Sequence, residues 1–533
     1  MSDRYGAGSR SAAAARVGGR WRARGQALVL ATIALLVLCV GVIVLFDTGI
    51  AVNKKTQLVN TADAAAYSVA VQQARAFNTI AYLNRAQVAN EISMAQAVSM
   101  YSWMGYIQSG TDHMAKALEV IGVVTSEIGI GEILLEAGQI MDRMKSAIKQ
   151  VRAGLKPVLE GVVDTLSAAN KLYVGAEGIV ARDAYVDSEV VADRVVKANA
   201  ADASGRPGYG NEQMRVSDVS RLALVAQAHA AARYVREYHS MKLNPQGRRE
   251  SGFRRADADR YVNVVMEARD PFTRGHHDSY FGIFDESEGT DMVDYSRWVG
   301  VDTFNFDLPG WLSWIPGAPD NVPLAWAAAA AVRRNTRARA SIYLWGINNG
   351  RGWTSPYDLD HHRHDKAYQG ALGNGMAGEL VANDPADAEG GGKASDALLK
   401  GYTGLQNYYD VVDNKHANLP YRPDGDYGVD DKAYGPIFTV QVEQPVASVH
   451  TSKQLGIGAG RMRQVDSADN GAISALASAQ VYFSRPRDRW PFARQIDDRR
   501  ELGNLFSPYW QARLVDTPES IRLGFKAGSV VIP

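Results

Sequence analysis

The sequence predicts an α+β protein in which a single N-terminal transmembrane helix continues into an α-helical stalk or bundle, followed by a mixed α/β C-terminal region with long loops. Three observations predict it. Residues 27–46 form an uncharged apolar run. Residues 50–200 contain only one proline, Pro157, among residues that favour helix. From about residue 250 onward, aromatic residues, Gly and Pro become dense and short strand-like runs appear.

The first element is the membrane segment. The run Ala27 to Phe46 is twenty residues long, and at 1.5 Å per residue it spans roughly 30 Å, the thickness of a hydrocarbon core. A secretory signal peptide would have a shorter apolar region, ~7–15 residues, ending in a small-x-small cleavage site. This run ends instead in Phe46-Asp47-Thr48-Gly49. Before it lie Arg4, Arg10, Arg16, Arg20, Arg22 and Arg24 against one acid, Asp3, while only Lys54 and Lys55 follow closely. The positive-inside rule therefore makes 1–25 a cytoplasmic Arg-rich tail and 26–46 a span of the lipid bilayer, with the bulk of the chain outside. The only cysteine, Cys39, falls inside the run, so no disulfide is expected in the outer part. Lys+Arg and Asp+Glu are equal at 58 each, so no global basic field points to nucleic acid.

The second element, 47–240, is read as mainly helical. Asp47 to Ser102 contains no Pro, so the transmembrane helix is expected to continue through it. One face carries Leu58, Ala62, Ala65, Val69, Ala76 and Leu83 at alternating four- and three-residue spacing or its multiples. Small residues on such a seam let another helix approach closely. That helix is either one of the chain's own next helices or one from a second subunit in a homo-oligomer. Breaks are expected at Gly105–Gly110 and at Lys156-Pro157, and a boundary at Ala203–Gly210. A further helix is expected over about Gln213 to His239.

The third element, 250–533, is read as mixed α+β. Its strand-like runs are Tyr280–Phe284, Ile342–Trp345, Ile437–Val442 and Gln480–Phe483. Long polar loops separate them, notably Asn383–Lys393. The Ala-rich run Ala325–Ala331 is far too short to span a membrane.

The segment from Arg24 to Ala70 resembles the N-terminal module of TadE/TadG-like proteins of Tad (Flp) pilus assembly. The matching residues are Arg24-Gly25-Gln26-Ala27-Leu28 before the span, Asp47 and Gly49 just after it, and the string Gln57-Leu58-Val59-Asn60-Thr61-Ala62-Asp63-Ala64-Ala65-Ala66. Near the end, Leu505 to Leu514 also looks like larger Tad-domain proteins. The resemblance places the Tad-like start at 47–70 and implies a bacterial inner-membrane protein with a periplasmic body. Its implied partners are other Tad, pilus or envelope proteins. A minor pilin-like subunit cleaved after Gly25 is the family's other implied outcome. Pilin-like subunits carry Glu at the fifth position after that Gly, where this chain has Leu30. An uncleaved anchor is therefore expected.

Candidate chemistry is confined to a few clusters. Asp358-Leu359-Asp360-His361-His362-Arg363-His364-Asp365 holds imidazoles and carboxylates of the kind that bind Zn²⁺ or Ni²⁺. His361, His362, His364 and Asp360 would be the ligands of a membrane-tethered metal-binding protein or hydrolase. Their spacing is not that of a metalloprotease helix, and a solvated loop is the plain alternative. His276-His277-Asp278 is a smaller cluster. Asp424 to Asp431 has the closely spaced acids of a Ca²⁺ loop without its twelfth-position Glu, and reads as a turn. Gly456-Ile457-Gly458-Ala459-Gly460 lacks the Lys-Ser/Thr of a phosphate-binding loop. No GxSxG or CxxC occurs. The expectation is therefore a non-enzymatic structural or assembly protein with no cofactor.

Overall fold

In the computed structural model of the chain, the described residues are 20–124, 126, 131–200, 213–239, 261–262, 264–274, 276–293, 297–307, 321–332, 398–412, 434–449, 471–484 and 503–531. The architecture is α+β, organised around one helix. α1 (Arg20–Val124) is 105 residues long, which at 1.5 Å per residue is about 160 Å. Over residues 27–46 its side chains are exposed along nearly the whole length. Among the described residues it is the one helix long and apolar enough to cross a membrane.

α1 meets the rest of the protein from about Lys55 onward, where Lys55 Nζ donates to the Ser474 carbonyl. Its first partner is an antiparallel sheet in the order β1-β9-β10-β11, made of β1 (Arg215–Val216), β9 (Tyr434–Pro445), β10 (Ala472–Phe483) and β11 (Trp510–Val515). β10 runs alongside α1. Ser474 lies by Lys55, while Trp510, the β11 partner of Phe483, lies by Asn78. Twelve strand residues span about 36 Å and residues 55–78 of a helix about 35 Å, so the two elements match in length. Leu58, Ala62, Ala65, Ala66, Val69 and Ala70 share one core with Val440, Val442, Ala475, Ala477 and Ala479. Alanines on both sides let the helix lie close on the sheet. α3 (Ser188–Ala200) adds Ala192 and Val196 to the same core.

The free edge of β9 is closed by a helix. β1 pairs with β9 for two residues, and then α4 (Asp218–Tyr234) takes over. Gln441 N donates to Ser220 Oγ and Thr439 N donates to Gln227 Oε1. Side chains of α4 thus stand in for a neighbouring strand, leaving these edge amides paired. Ser217 caps α4 by accepting from Ser220 N at 3.1 Å.

Further along, α2 (Gly131–Val186) folds back on α1 as an antiparallel hairpin, with Glu177 beside Gln87, Ser167 beside Met94 and Lys145 beside Asp112. A second sheet, ordered β3-β4-β5-β6-β7, packs on the same stretch of α1. Its strands are β3 (His276–Tyr280), β4 (Phe284–Val293), β5 (Arg297–Asp307), β6 (Asn321–Val332) and β7 (Leu398–Leu399); all pair antiparallel except β6 with β7. A two-stranded ribbon of β2 (Val235–Tyr238) and β8 (Tyr408–Val411) lies between the sheets along the helix, and α5 (Glu519–Val531) ends the described chain.

Several sequence expectations are corrected. Neither expected break occurs: α1 passes through Gly105 and Gly110, and α2 passes through Pro157. The two glycines serve close packing instead. A Cβ at Gly105 would meet Ala327 Cβ at 2.9 Å, and one at Gly110 would meet Ala325 Cβ at 3.1 Å. Pro157 sits on an exposed face of α2, where water can take up the carbonyl that its missing N–H leaves. The helix expected over Gln213–His239 is shortened by a strand at each end, because β9 and β8 recruit those residues into ladders. The Tyr280–Phe284 run is the turn of a hairpin, with Phe281 at φ 57° and Gly282 at φ 68°. Ile437–Val442 and Gln480–Phe483 lie in β9 and β10; Ile342–Trp345 is outside the described residues. The Ala-rich run forms most of β6, since its small side chains fit beneath α1 where helix propensity alone would favour a helix. Residues of the 47–240 and 250–533 stretches share both cores.

Candidate functional site

α1 carries the sequence-predicted site residues in two groups, one outside the body and one within it. Ala27 and Phe46 bound the exposed apolar length. Asp47 is half-buried and Gly49 is exposed, with open space where its Cβ would lie. In the Asn/Ala/Asp string the face splits. Leu58, Ala62, Ala65 and Ala66 are fully buried, Asn60 is exposed, and Asp63 is half-buried with its carboxyl pKa pushed up by desolvation.

The seam Ala62, Ala65, Val69 and Ala76 is buried within this chain, and Leu83 is half-buried. What covers it is chiefly the β9–β10 face with α3, rather than helices alone or a second copy. A seam of small residues is as suited to a flat sheet as to a helix, which is why spacing could not distinguish them.

Beyond Ala76 polar side chains of α1 join Phe77 and Ile80 in the contact. Asn78 clamps the Trp510 backbone: its Nδ2 donates to Trp510 O and its Oδ1 accepts from Trp510 N, both at 2.9 Å. Two turns on, Asn84 Nδ2 donates to Tyr409 O at 2.9 Å and Leu505 O at 2.7 Å, and Arg85 Nε donates to Phe506 O at 2.6 Å. Asp410 Oδ1 accepts from Val411 N and Leu505 N, each at 2.8 Å. The loop before β11 and the β8 strand are therefore fixed to α1 by side-chain bonds to backbone. The sequence Leu505–Leu514 is thereby tied to the first helix.

Next comes a network of buried acids. Glu91 accepts from Trp298 Nε1 at 3.0 Å, Tyr402 OH at 3.0 Å and Asn170 Nδ2 at 3.1 Å. It has no exposed surface, and burial lifts its pKa to about 7 against the opposing pull of those three donors. Glu177 accepts from Gln87 Nε2 at 2.7 Å and Tyr409 N at 3.2 Å, and burial lifts it to about 8. Tyr261 OH donates to Gln87 Oε1 at 3.3 Å. The Tyr261 ring packs against Tyr408 and Phe506, with centroids 5.0 and 5.8 Å away. On the second sheet Asp302 faces Glu288 across the β4–β5 ladder and lies on α1. Burial, with Glu288 and Glu286 adding, raises its carboxyl far above the usual range.

These groups hold α1, α2, the β2–β8 ribbon and the second sheet in one register. Glu91 touches β5 through Trp298, α2 through Asn170 and the segment after β7 through Tyr402. The sequence analysis missed Glu91 and Asn78. One signal was present: across residues 64–111 Glu91 is the sole acid, and a lone acid in a long stretch of small and apolar residues must find donors or stay protonated.

The remaining predicted clusters fall elsewhere. Asp360, His361, His362 and His364 lie outside the described residues, as do Asp424–Asp431 and Gly456–Gly460. His276, His277 and Asp278 are on β3, with Asp278 exposed. Among the described residues no group of three or more His, Cys, Asp or Glu could hold a metal ion.

No curated protein and no solved structure matches the chain. Residues 25–73 match the model of the family described as "Putative Flp pilus-assembly TadE/G-like". That stretch is the part of α1 holding the apolar span, Asp47, Gly49 and the Leu58–Ala66 string. The first helix of this chain thus carries a TadE/G-like module, and through it the protein is related to Tad (Flp) pilus assembly.

Proposed function

We propose that the protein is a single-pass inner-membrane component of Tad (Flp) pilus or secretion assembly that works by protein–protein contact rather than by catalysis. Its N-terminus is cytoplasmic and its body periplasmic, following the arginines ahead of the span. The observation that carries this reading is the continuity of α1. One unbroken helix is the exposed apolar segment, the TadE/G-like module and the spine on which both sheets and α2 are mounted. A body fixed so directly to its anchor is held at a set height and orientation above the bilayer, as a scaffold for other envelope proteins requires. The working residues act by burial and complementarity; Glu91 and Glu177 hold elements together.

The test combines topology and loss of function. An alkaline phosphatase fused after Pro533 is expected to be active, and protease added to spheroplasts is expected to digest the body. Deletion of the protein is expected to reduce assembly of the pilus or its secreted product. A fusion active only in the cytosol, or pilus assembly unchanged by the deletion, overturns the proposal.

A further inference from the structure

The far end of the α1–α2 hairpin is built inside out. Where two helices of a soluble hairpin meet, large apolar residues ordinarily fill the seam. Here glycines sit in it, with Leu135 packed on Gly122. A Cβ at Gly122 would lie 2.9 Å from Leu135 Cγ and 3.0 Å from the Gly131 carbonyl; one at Gly138 would lie 3.0 Å from Glu119 Cγ and 3.2 Å from the Ala115 carbonyl. The helices therefore approach closely at Gly122 and Gly138, with Leu118, Leu134 and Leu135 half-buried and several other aliphatic side chains turned outward. Val120 is 63% exposed, Val123 64%, Val124 75% and Ile133 67%. From Phe46 to Val124 the helix rises about 117 Å, so this apolar tip stands at the end opposite the membrane anchor.

The charge around the tip is of one sign. Among the described residues of 117–141 the charged side chains are Glu119, Glu132 and Glu136. These three acids repel an anionic lipid surface, and they repel the same tip of a second copy. They favour a surface with an apolar centre and a basic rim.

We infer that the tip of the α1–α2 hairpin docks a second envelope protein through an apolar surface rimmed by lysine or arginine. Val124 and Ile133 insert at the centre, and Glu132 and Glu136 face the basic rim. This deepens the assembly reading above, on which it rests, by assigning the contact to the end of the rod farthest from the bilayer. Covering a few exposed aliphatics of this size removes enough apolar surface from water for a specific contact. The acids set its orientation and its sensitivity to salt.

The test uses the full chain in a lipid nanodisc and an 18-residue amphipathic helix of leucine and lysine as the probe. Binding is expected to weaken with added salt. It is also expected to weaken at least about tenfold in Val124→Ser/Ile133→Ser and in Glu132→Gln/Glu136→Gln, a change of ~1.4 kcal/mol or more. Leu172→Ser, exposed at mid-α2, is expected to leave it unchanged. These substitutions alter exposed side chains, so circular dichroism is expected to match the parent. Equal affinity in the tip variants overturns the inference. So does co-flotation with vesicles of phosphatidylcholine and phosphatidylglycerol, or dimerisation, if either disappears in Val124→Ser/Ile133→Ser. Such a failure would leave the topology and deletion tests of the assembly reading untouched.

Discussion

Asn78 and Trp510 lie 432 positions apart and exchange two hydrogen bonds, each 2.9 Å long. The carboxamide does for the Trp510 backbone what a neighbouring strand would do, at the point where β11 begins. Beside it the Trp510 ring packs edge-on against Phe77, with centroids 5.1 Å apart. Asn78→Ala removes both bonds and leaves two partly buried backbone groups unpaired. It is expected to lower unfolding free energy by roughly 2–4 kcal/mol, read from the tryptophan fluorescence of denaturant unfolding in nanodiscs. A variant as stable as the parent would mean the clamp contributes nothing.

Ala65 is fully buried between α1 and the first sheet. Ala65→Leu adds volume to an alanine-on-alanine contact and is expected to destabilise by ~1–3 kcal/mol. Asn60→Ala, on the exposed face of the preceding turn, is expected to stay within about 0.5 kcal/mol of the parent. If Ala65→Leu kept full stability and instead abolished self-association, the seam would be an external surface.

The buried acids make stability depend on pH. Glu91 and Glu177 have pKa values of about 7 and about 8 in the folded protein, above the ordinary 4.5. The folded state therefore holds their protons more tightly than the unfolded chain. Their stabilising effect is greatest below the ordinary value, declines as pH rises through 7 and 8, and levels off above. The melting midpoint is expected to fall between about pH 5 and about pH 9, and Glu91→Gln/Glu177→Gln is expected to flatten that slope. A slope that survives the double substitution would place its origin elsewhere.

The anchor is open to a direct measurement. Leu36 and Val40 are exposed in the middle of the apolar run. Arginine at a helix centre costs roughly 2.5–3.5 kcal/mol to place in the bilayer. Leu36→Arg/Val40→Arg is expected to move the chain from the carbonate-resistant membrane fraction to the soluble or degraded pool. Retention in the membrane would show that another segment holds the protein there.

The membrane segment, the long first helix and the Tad-like string were legible because each depends on neighbouring residues. Hydrophobicity sums over twenty consecutive side chains, and helix propensity adds turn by turn. β9 and β10 were partly legible for the same reason: Phe438, Val440 and Val442, like Ala475, Ala477 and Ala479, alternate into one core. Gly105, Gly110 and Pro157 misled because a breaker's effect depends on what lies beside it. A strand pressed against the two glycines, and the solvent exposure of Pro157, remove the need to break.

By itself, then, the sequence determined that a greasy helix leads the chain, that helix follows it and that strands come later. Tertiary structure decided which face of α1 would be covered, and by a sheet. It also decided that Glu91 would meet Trp298 and Tyr402 from segments more than two hundred residues away, and that the valines of the hairpin tip would face outward. These outcomes turn on contacts between distant segments, whose energies appear only once the chain has closed its loops. Local periodicity records that a face is apolar, and it is silent about what that face will meet.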